Sequence, residues 1–533
     1  MLGARGARYT ADMHGVPKLP GSSDWPRHSG LLCHISSLPG PGGTGDLGPA
    51  AYQFLTQLSR AGQRAWQVLP IGPTGYGDSP YQTASVLGGN PLFISIERLI
   101  EDGLLPADVT SMAPVESSEA DFAAAQAYKW PLFERAFRKL ATDAQHASLR
   151  AEFLAFSERE CDWLDDYALF MAIKEEQGLR PWIEWPLPLR DRQPSALSAA
   201  SQRLSVRIDL HRFVQWQFER QWHALRKAAT DLGIELIGDV PIFVAHDSVE
   251  VWSNPSQFLL NPDGQLQVQA GVPPDYFSKT GQLWGNPLYN WERMQADGFA
   301  FWRKRIQRAS SLFDRVRIDH FRGFAAHWEI PAADRTAEFG RWVTAPGHAL
   351  FEVLTTHPET RAVRFIAEDL GVITPDVEAL RDRFGFPGIR VLQFGFGDDD
   401  FYDGRPWAFR KNLVAYSSTH DNATIVGWYR GEPEGTRSDE QARRERDKVH
   451  DYIGHVPSPG YAHFLLIRLV MSTAAETVII PVQDVLGLGN VARMNTPGLP
   501  QGNWRFRLRS GQLDDGSLDH LRHITKLYAR TQR

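Results

Sequence analysis

The chain has 533 residues, 42% hydrophobic and 23% charged, with a formal net charge of -6, a composition that supports a large packed core and argues against long disordered stretches. No Lys/Arg block occurs, so neither nucleic acid nor an anionic membrane is an expected partner. Cys33 and Cys161 are too few for a disulfide framework and lack metal-ligand spacing, and no apolar stretch approaches a membrane span, so the expected compartment is the cytoplasm.

In chain order, residues 1–25 are rich in Gly, Pro and Ser and read as a disordered extension. The remainder, 26–533, reads as one α/β unit. Eight short apolar runs flanked by turn residues predict parallel strands: Gly30 to Ile35, Ala65 to Pro70, Glu235 to Val240, Arg315 to Asp319, Arg364 to Glu368, Ile389 to Phe394, Val414 to Thr419 and Thr477 to Val482. Helices are predicted at Pro49 to Ala61, at Thr374 to Phe384 with Thr374 as N-cap and Pro375 in the first helical position, and at Tyr461 to Ala474. Leu518 to Ala529 reads as the closing helix, with Leu521, Ile524 and Leu527 spaced for one face. This alternation implies a (β/α)8 barrel.

Two gaps exceed what a βα unit needs, so large inserted subdomains are expected between strands 2 and 3 and between strands 3 and 4. The first, about 85–232, is mainly helical, with helices around Phe122 to Leu140, Glu152 to Glu176 and Phe213 to Leu232. The second, about 245–313, reads as a loop-rich lid. It contains Gly271 to Trp291, dense in Gly, Pro and aromatic residues. Gly43, Gly45 and Gly48 formally match a dinucleotide-binding pattern, but a Pro-containing loop separates them from their strand and no acidic residue ends the next one. They read as a turn into the first barrel helix. No Walker, HExxH, GxSxG or paired CxxC motif occurs, so no cofactor is expected.

The informative pattern is where ionisable groups fall. Asp239 ends the third strand, Arg317, Asp319 and His320 close the fourth, Glu368 and Asp369 the fifth, and His420 and Asp421 follow the seventh. In a parallel barrel these ends converge on the face where active sites are built. A lone strand-end Asp is ordinarily a cap or an Arg partner, but several carboxylates in one cleft repel each other and resist burial, a stability cost typical of active sites. Cleavage of an acetal needs such a set: one carboxylate to attack or stabilise the anomeric carbon, another kept protonated to donate to the departing oxygen. Arg317 lies two residues from Asp319, on the same side of the strand, where it can hold the nucleophile ionised. His320 and His420 are candidate donors to sugar hydroxyls.

At these residues the sequence resembles the amylomaltase (4-α-glucanotransferase) family, glycoside hydrolase family 77, relatives of the α-amylases. The resemblance runs from about His28 to Arg507 and is carried by SLPGPGGTGDLG (Ser37 to Gly48), WQVLPIGPTGYGDSPYQ (Trp66 to Gln82), GDVPIFVAHDS (Gly238 to Ser248), PDYFSKTGQLWGNPLYNW (Pro274 to Trp291), RIDHFRG (Arg317 to Gly323), AEDLG (Ala367 to Gly371), THDN (Thr419 to Asn422), and PVQDVLGLG through RMNTPG (Pro481 to Gly498). It implies Asp319 as the nucleophile of a covalent glucosyl enzyme, Glu368 as general acid/base and Asp421 as the carboxylate gripping the distorted sugar. It further implies Tyr81 as a stacking residue, Ser79, Asp239, Arg317, His320 and His420 as polar contacts, and Gln282, Trp284 and Asn495 on the acceptor side. Expected partners are maltooligosaccharide and glucan donors and acceptors, with glucose as acceptor or product; expected assembly is a monomer or weak homo-oligomer. No catalytic metal is implied, and the acidic run Asp398 to Asp400 reads as a solvated loop. The aromatic residues Tyr276, Phe277, Trp284 and Tyr289 are expected to cover the cleft and stack on an acceptor. The other readings carried forward are an α-amylase-like retaining hydrolase, which shares every step up to the glucosyl enzyme, and a non-catalytic glucan-binding protein.

Overall fold

The computed structural model describes residues 27–531 except 275–277, 398–403, 436, 459 and 500. The expected N-terminal extension, Tyr276, Phe277 and the run Asp398 to Asp400 lie outside the described residues.

Eight parallel strands form the central sheet: β1 (His28–Leu32), β2 (Ala65–Gln67), β3 (Glu235–Pro241), β4 (Arg315–Asp319), β5 (Phe365–Ala367), β6 (Gly388–Val391), β7 (Leu413–Tyr416) and β8 (Thr477–Pro481). Their spatial order is β6-β7-β8-β1-β2-β3-β4-β5. All eight predicted runs hold a strand, with ends displaced by at most three residues. The seam between β5 and β6 is bridged by the Ala367 N–H, which donates to the Pro387 carbonyl at 2.9 Å. The sheet thus closes into a (β/α)8 barrel whose strands are buried on both faces, which is why they read as continuous apolar runs. β1 and β2 approach so closely that a Cβ at Gly30 would meet the Ala65 carbonyl oxygen at 2.3 Å, so only glycine fits there.

Helices follow the strands at Pro49–Arg60, Pro375–Arg383, Ala462–Ser472 and Asp515–Leu527. Gly48 serves as the N-cap of the first, so the glycine run is the turn expected of it. In the last helix the buried stripe is Leu518, Leu521 and Ile524, whereas Leu527 is 52% exposed. Leu527 falls on the helix's final residue, where it is left pointing outward.

Between β2 and β3 lie the helices Phe122–Thr142, Ala147–Arg159, Cys161–Glu176 and Ser205–Asp231. A separate antiparallel sheet joins the strands Gln282–Pro287, Val268–Val272, Ala326–Pro331 and Arg341–Thr344, in that order. Half of this sheet comes from after β4, in a stretch where the sequence pattern predicts no lid strands. Only the pairing of Val268–Val272 with Ala326–Pro331 crosses a long sequence gap; the other two pairings join strands near each other in the chain.

Arg530 ties the chain's end to the barrel. Fully buried, it donates to the carbonyls of Met471 (2.8 Å), Ala475 (2.9 Å), Thr473 (3.1 Å), Glu476 (3.2 Å) and His28 (3.3 Å), at the bases of β1 and β8. Arg530→Met leaves these carbonyls without their shared donor, and we expect a loss of about 3 kcal/mol; chemical denaturation measures it, and an unchanged midpoint contradicts the assignment.

Candidate active site

On β4 the two-residue period places Arg317 and Asp319 on one side of the strand. Arg317 Nη1 lies 2.6 Å from Asp239 Oδ2, on the neighbouring β3, and 2.9 Å from Asp319 Oδ1. Tyr81, beyond β2, donates its hydroxyl to Asp239 Oδ2 at 2.8 Å and meets His420 Nε2 at 2.8 Å. His420 Nε2 is 3.2 Å from Asp421 Oδ2, and Asn495 Nδ2 donates to Asp421 Oδ1 at 2.6 Å. A continuous polar chain therefore runs Asp319, Arg317, Asp239, Tyr81, His420, Asp421, Asn495, drawing on β3 and β4 and on the segments after β2, β7 and β8.

Glu368 follows β5 directly and is woven around the residues flanking Asp319. Its N–H donates to the Ile318 carbonyl at 3.0 Å, and its own carbonyl accepts from the Phe321 N–H at 3.0 Å. Its carboxylate accepts from the His320 N–H at 2.7 Å and the Leu370 N–H at 3.0 Å. His320 adopts left-handed backbone, φ 52°, unusual for a residue with a Cβ and typical of functional sites. Asp369 turns the other way, as alternation requires: it accepts from the Ile389 N–H at 2.7 Å and pairs with Arg381 and Arg390, sealing the β5–β6 seam outside the cleft.

The environments push the three carboxyl groups apart in acidity. Burial raises Glu368, and the charge of Asp319 adds to it against the opposing pull of Arg317 and two backbone N–H groups, leaving it at about 8. Burial also raises Asp319, but its direct pairing with Arg317 limits the rise to about 6. For Asp421 burial is outweighed by His420 and by hydrogen bonds from His420 and Asn495, which bring it down to about 2. Of the adjacent pair, Asp319 ionises first and Glu368 keeps the proton.

A cleft of about 470 Å³ is lined by Asp319, Glu368 and Asp421 together with Ser79, Tyr81, Gln282, Trp284, Arg317, His320 and Asn495. Asp239 and His420 are not in its lining; they stand behind Tyr81 and Arg317, almost fully buried. Trp284 sits edge-on to His320 with ring centroids 4.8 Å apart. Tyr289 does not cover the cleft: it is buried, donates its hydroxyl to the Ile242 carbonyl at 2.6 Å and packs among Phe258, Trp291 and Trp302. Its place among neighbouring aromatics in the sequence does not reveal that its hydroxyl has a core partner. Sequence reasoning missed Trp504, which lines the cleft, packs 5.7 Å from Tyr81 and takes left-handed backbone, φ 65°. No periodic signal marks it. Among the described residues no group of three or more His, Cys, Asp or Glu is arranged to hold a metal ion.

The family pattern described as 4-alpha-glucanotransferase matches residues 33–513. The chain belongs to the 4-alpha-glucanotransferase family. It is 47% identical to the 4-alpha-glucanotransferase of Thermus thermophilus over 95% of this chain and 99% of that one, and 45% identical to that of Synechocystis over 95% and 98%. It superposes on the amylomaltase from Streptococcus agalactiae, solved in complex with acarbose, with a TM-score of 0.89 at 36% identity, covering 95% of this chain and all of that one. The cleft with its three carboxylates thus lies in a member of the 4-alpha-glucanotransferase family.

Because Glu368 titrates at about 8 when folded against an ordinary 4.5, the folded chain binds the proton more tightly, and stability falls as pH rises through that window. Glu368→Gln cannot ionise. Its apparent melting temperature relative to the natural protein should therefore climb by about 2–4 °C between about pH 5 and about pH 8. A difference independent of pH contradicts the raised value.

Proposed function

We propose that this 4-alpha-glucanotransferase transfers α-1,4-glucan segments between maltooligosaccharides by retaining double displacement. Asp319 attacks the anomeric carbon as the glycosidic C–O bond breaks and Glu368 gives its proton to the departing oxygen. A sugar 4-hydroxyl of the acceptor then passes its proton to the Glu368 carboxylate and displaces Asp319, so configuration is retained. One observation carries the reading: of the two carboxyl groups, Asp319 is paired directly with Arg317 at 2.9 Å, whereas burial pushes Glu368 up despite the N–H groups of His320 and Leu370 that it accepts. That is the acid–nucleophile division this chemistry requires.

Asp421, kept ionised by His420 and Asn495, is suited to grip sugar hydroxyls as the ring flattens. His320 is suited as a polar contact: burial holds it neutral, lowered to about 3, and its Nε2 has no partner among the described residues. Trp284 and Gln282, joined by a 3.2 Å hydrogen bond in the lid sheet, are suited to the acceptor side. An acceptor held there competes with water by effective concentration, which favours transfer over the hydrolase reading. Helical residues about 85–232 and lid residues about 245–313 are assigned as inserted subdomains on a barrel of 26–533. A reducing compartment, the cytoplasm, suits the buried Cys33 and the exposed Cys161, both unpaired.

Incubation with maltotriose should yield glucose and longer chains in excess of new reducing ends; equal yields of the two would favour the hydrolase. Asp319→Asn should lower turnover by more than about 10³-fold with the melting temperature preserved, and near-normal turnover removes the mechanism.

A further inference from the structure

Asp421 and Asn495 meet through side chains carried on two irregular loops, after β7 and β8, and the Asp421 side chain is 42% exposed. Strand geometry does not fix that contact. Arg493 does. Its side chain is 9% exposed, Nη2 donates to the Asp421 carbonyl, and Nε donates to the Asn495 carbonyl at 2.7 Å. Nη1 faces Glu434 Oε1 at 3.4 Å, and the same oxygen accepts from the Ala423 N–H at 2.9 Å. The Asn495 N–H closes the assembly on the His420 carbonyl at 2.9 Å. A planar guanidinium with donors in a fixed fork thus spans both main chains beside the 2.6 Å bond from Asn495 to Asp421.

We propose that Arg493, backed by Glu434, is the positioning residue that sets the third carboxylate of the site; this rests on the reading of Asp421 as the group that grips the sugar. Arg493 is not among the residues lining the cleft, so it acts through Asp421 and Asn495. Lysine at this place reaches one carbonyl, not two. Without the fork the loops separate, the Asn495 amide no longer meets Asp421, and the carboxylate turns out of register. Since its grip is strongest on the distorted ring, the loss falls on kcat more than on KM.

The test is steady-state kinetics on maltotriose with melting curves for Arg493→Met, Arg493→Lys, Glu434→Gln and Asn495→Ala. Arg493→Met should lower kcat by roughly 10–100-fold, with KM within about threefold, and Arg493→Lys should recover part of the loss. Added to Asn495→Ala, Arg493→Met should cost less than about a further threefold, because both act on one contact. A natural kcat in Arg493→Met, a change in KM alone, or full multiplication of the two losses overturns the proposal. Should Arg493→Met not fold, natural kcat in both Arg493→Lys and Glu434→Gln overturns it equally. Retained turnover in Asp421→Asn would instead bring down the underlying reading of Asp421; an inactive Asp421→Asn beside a fully active Arg493→Met brings down this inference alone.

Discussion

Arg317 is the cation on which the arrangement of the site turns. Its buried guanidinium touches Asp239 at 2.6 Å and Asp319 at 2.9 Å, and a positive charge is tolerated there because these carboxylates offset its desolvation, holding its proton well above the usual range against the effect of burial. The same charge divides the labour of the acids. Asp319 contacts it and can ionise, whereas at Glu368 burial and the charge of Asp319 outweigh the pull of Arg317 and of two backbone N–H groups, and the proton is kept into the neutral range. Without a cation at this place, burial and mutual repulsion would favour the protonated form of both carboxyl groups.

From Arg317 the constraint spreads through Asp239 and Tyr81 to His420 and Asp421. The barrel makes this possible because parallel strands deliver their last residues to one rim whatever the sequence distance between them. Alternation along each strand sorts neighbours: Glu368 faces the cleft while Asp369 is spent on Arg381 and the closing seam. Away from the strands, loop contacts take over, and Arg493 holds together two segments that no ladder joins. The antiparallel sheet supplies Gln282 and Trp284 from outside the barrel, forming a second wall over the carboxylates.

What the sequence disclosed follows from how local each signal is. The eight strands were readable because a run buried on both faces is continuously apolar, and the charged residue that ends it is conspicuous: RVRID, FIAE and SSTHD each announce a strand and its functional end. Residues one layer back were harder to place, since Asp239 and His420 differ from the lining residues only in being covered by Tyr81, a fact of packing. Leu527 fits a helical stripe yet sits where the helix ends. Tyr289 looks like its aromatic neighbours until the Ile242 carbonyl is seen to hold its hydroxyl. Arg493 and Trp504 matter through contacts with segments distant in the chain, and no periodicity encodes those.

The central claim, that Asp319 and not a neighbouring carboxylate bonds to the sugar, is open to direct chemical test. Glu368→Gln enzyme exposed to α-glucosyl fluoride, whose leaving group needs no proton, should form the ester but resolve it slowly. Peptide mass spectrometry is then predicted to find a glucosyl adduct on the peptide bearing Asp319. An adduct on Asp421 or Asp239, or release of fluoride with no adduct in a folded protein, would contradict the account.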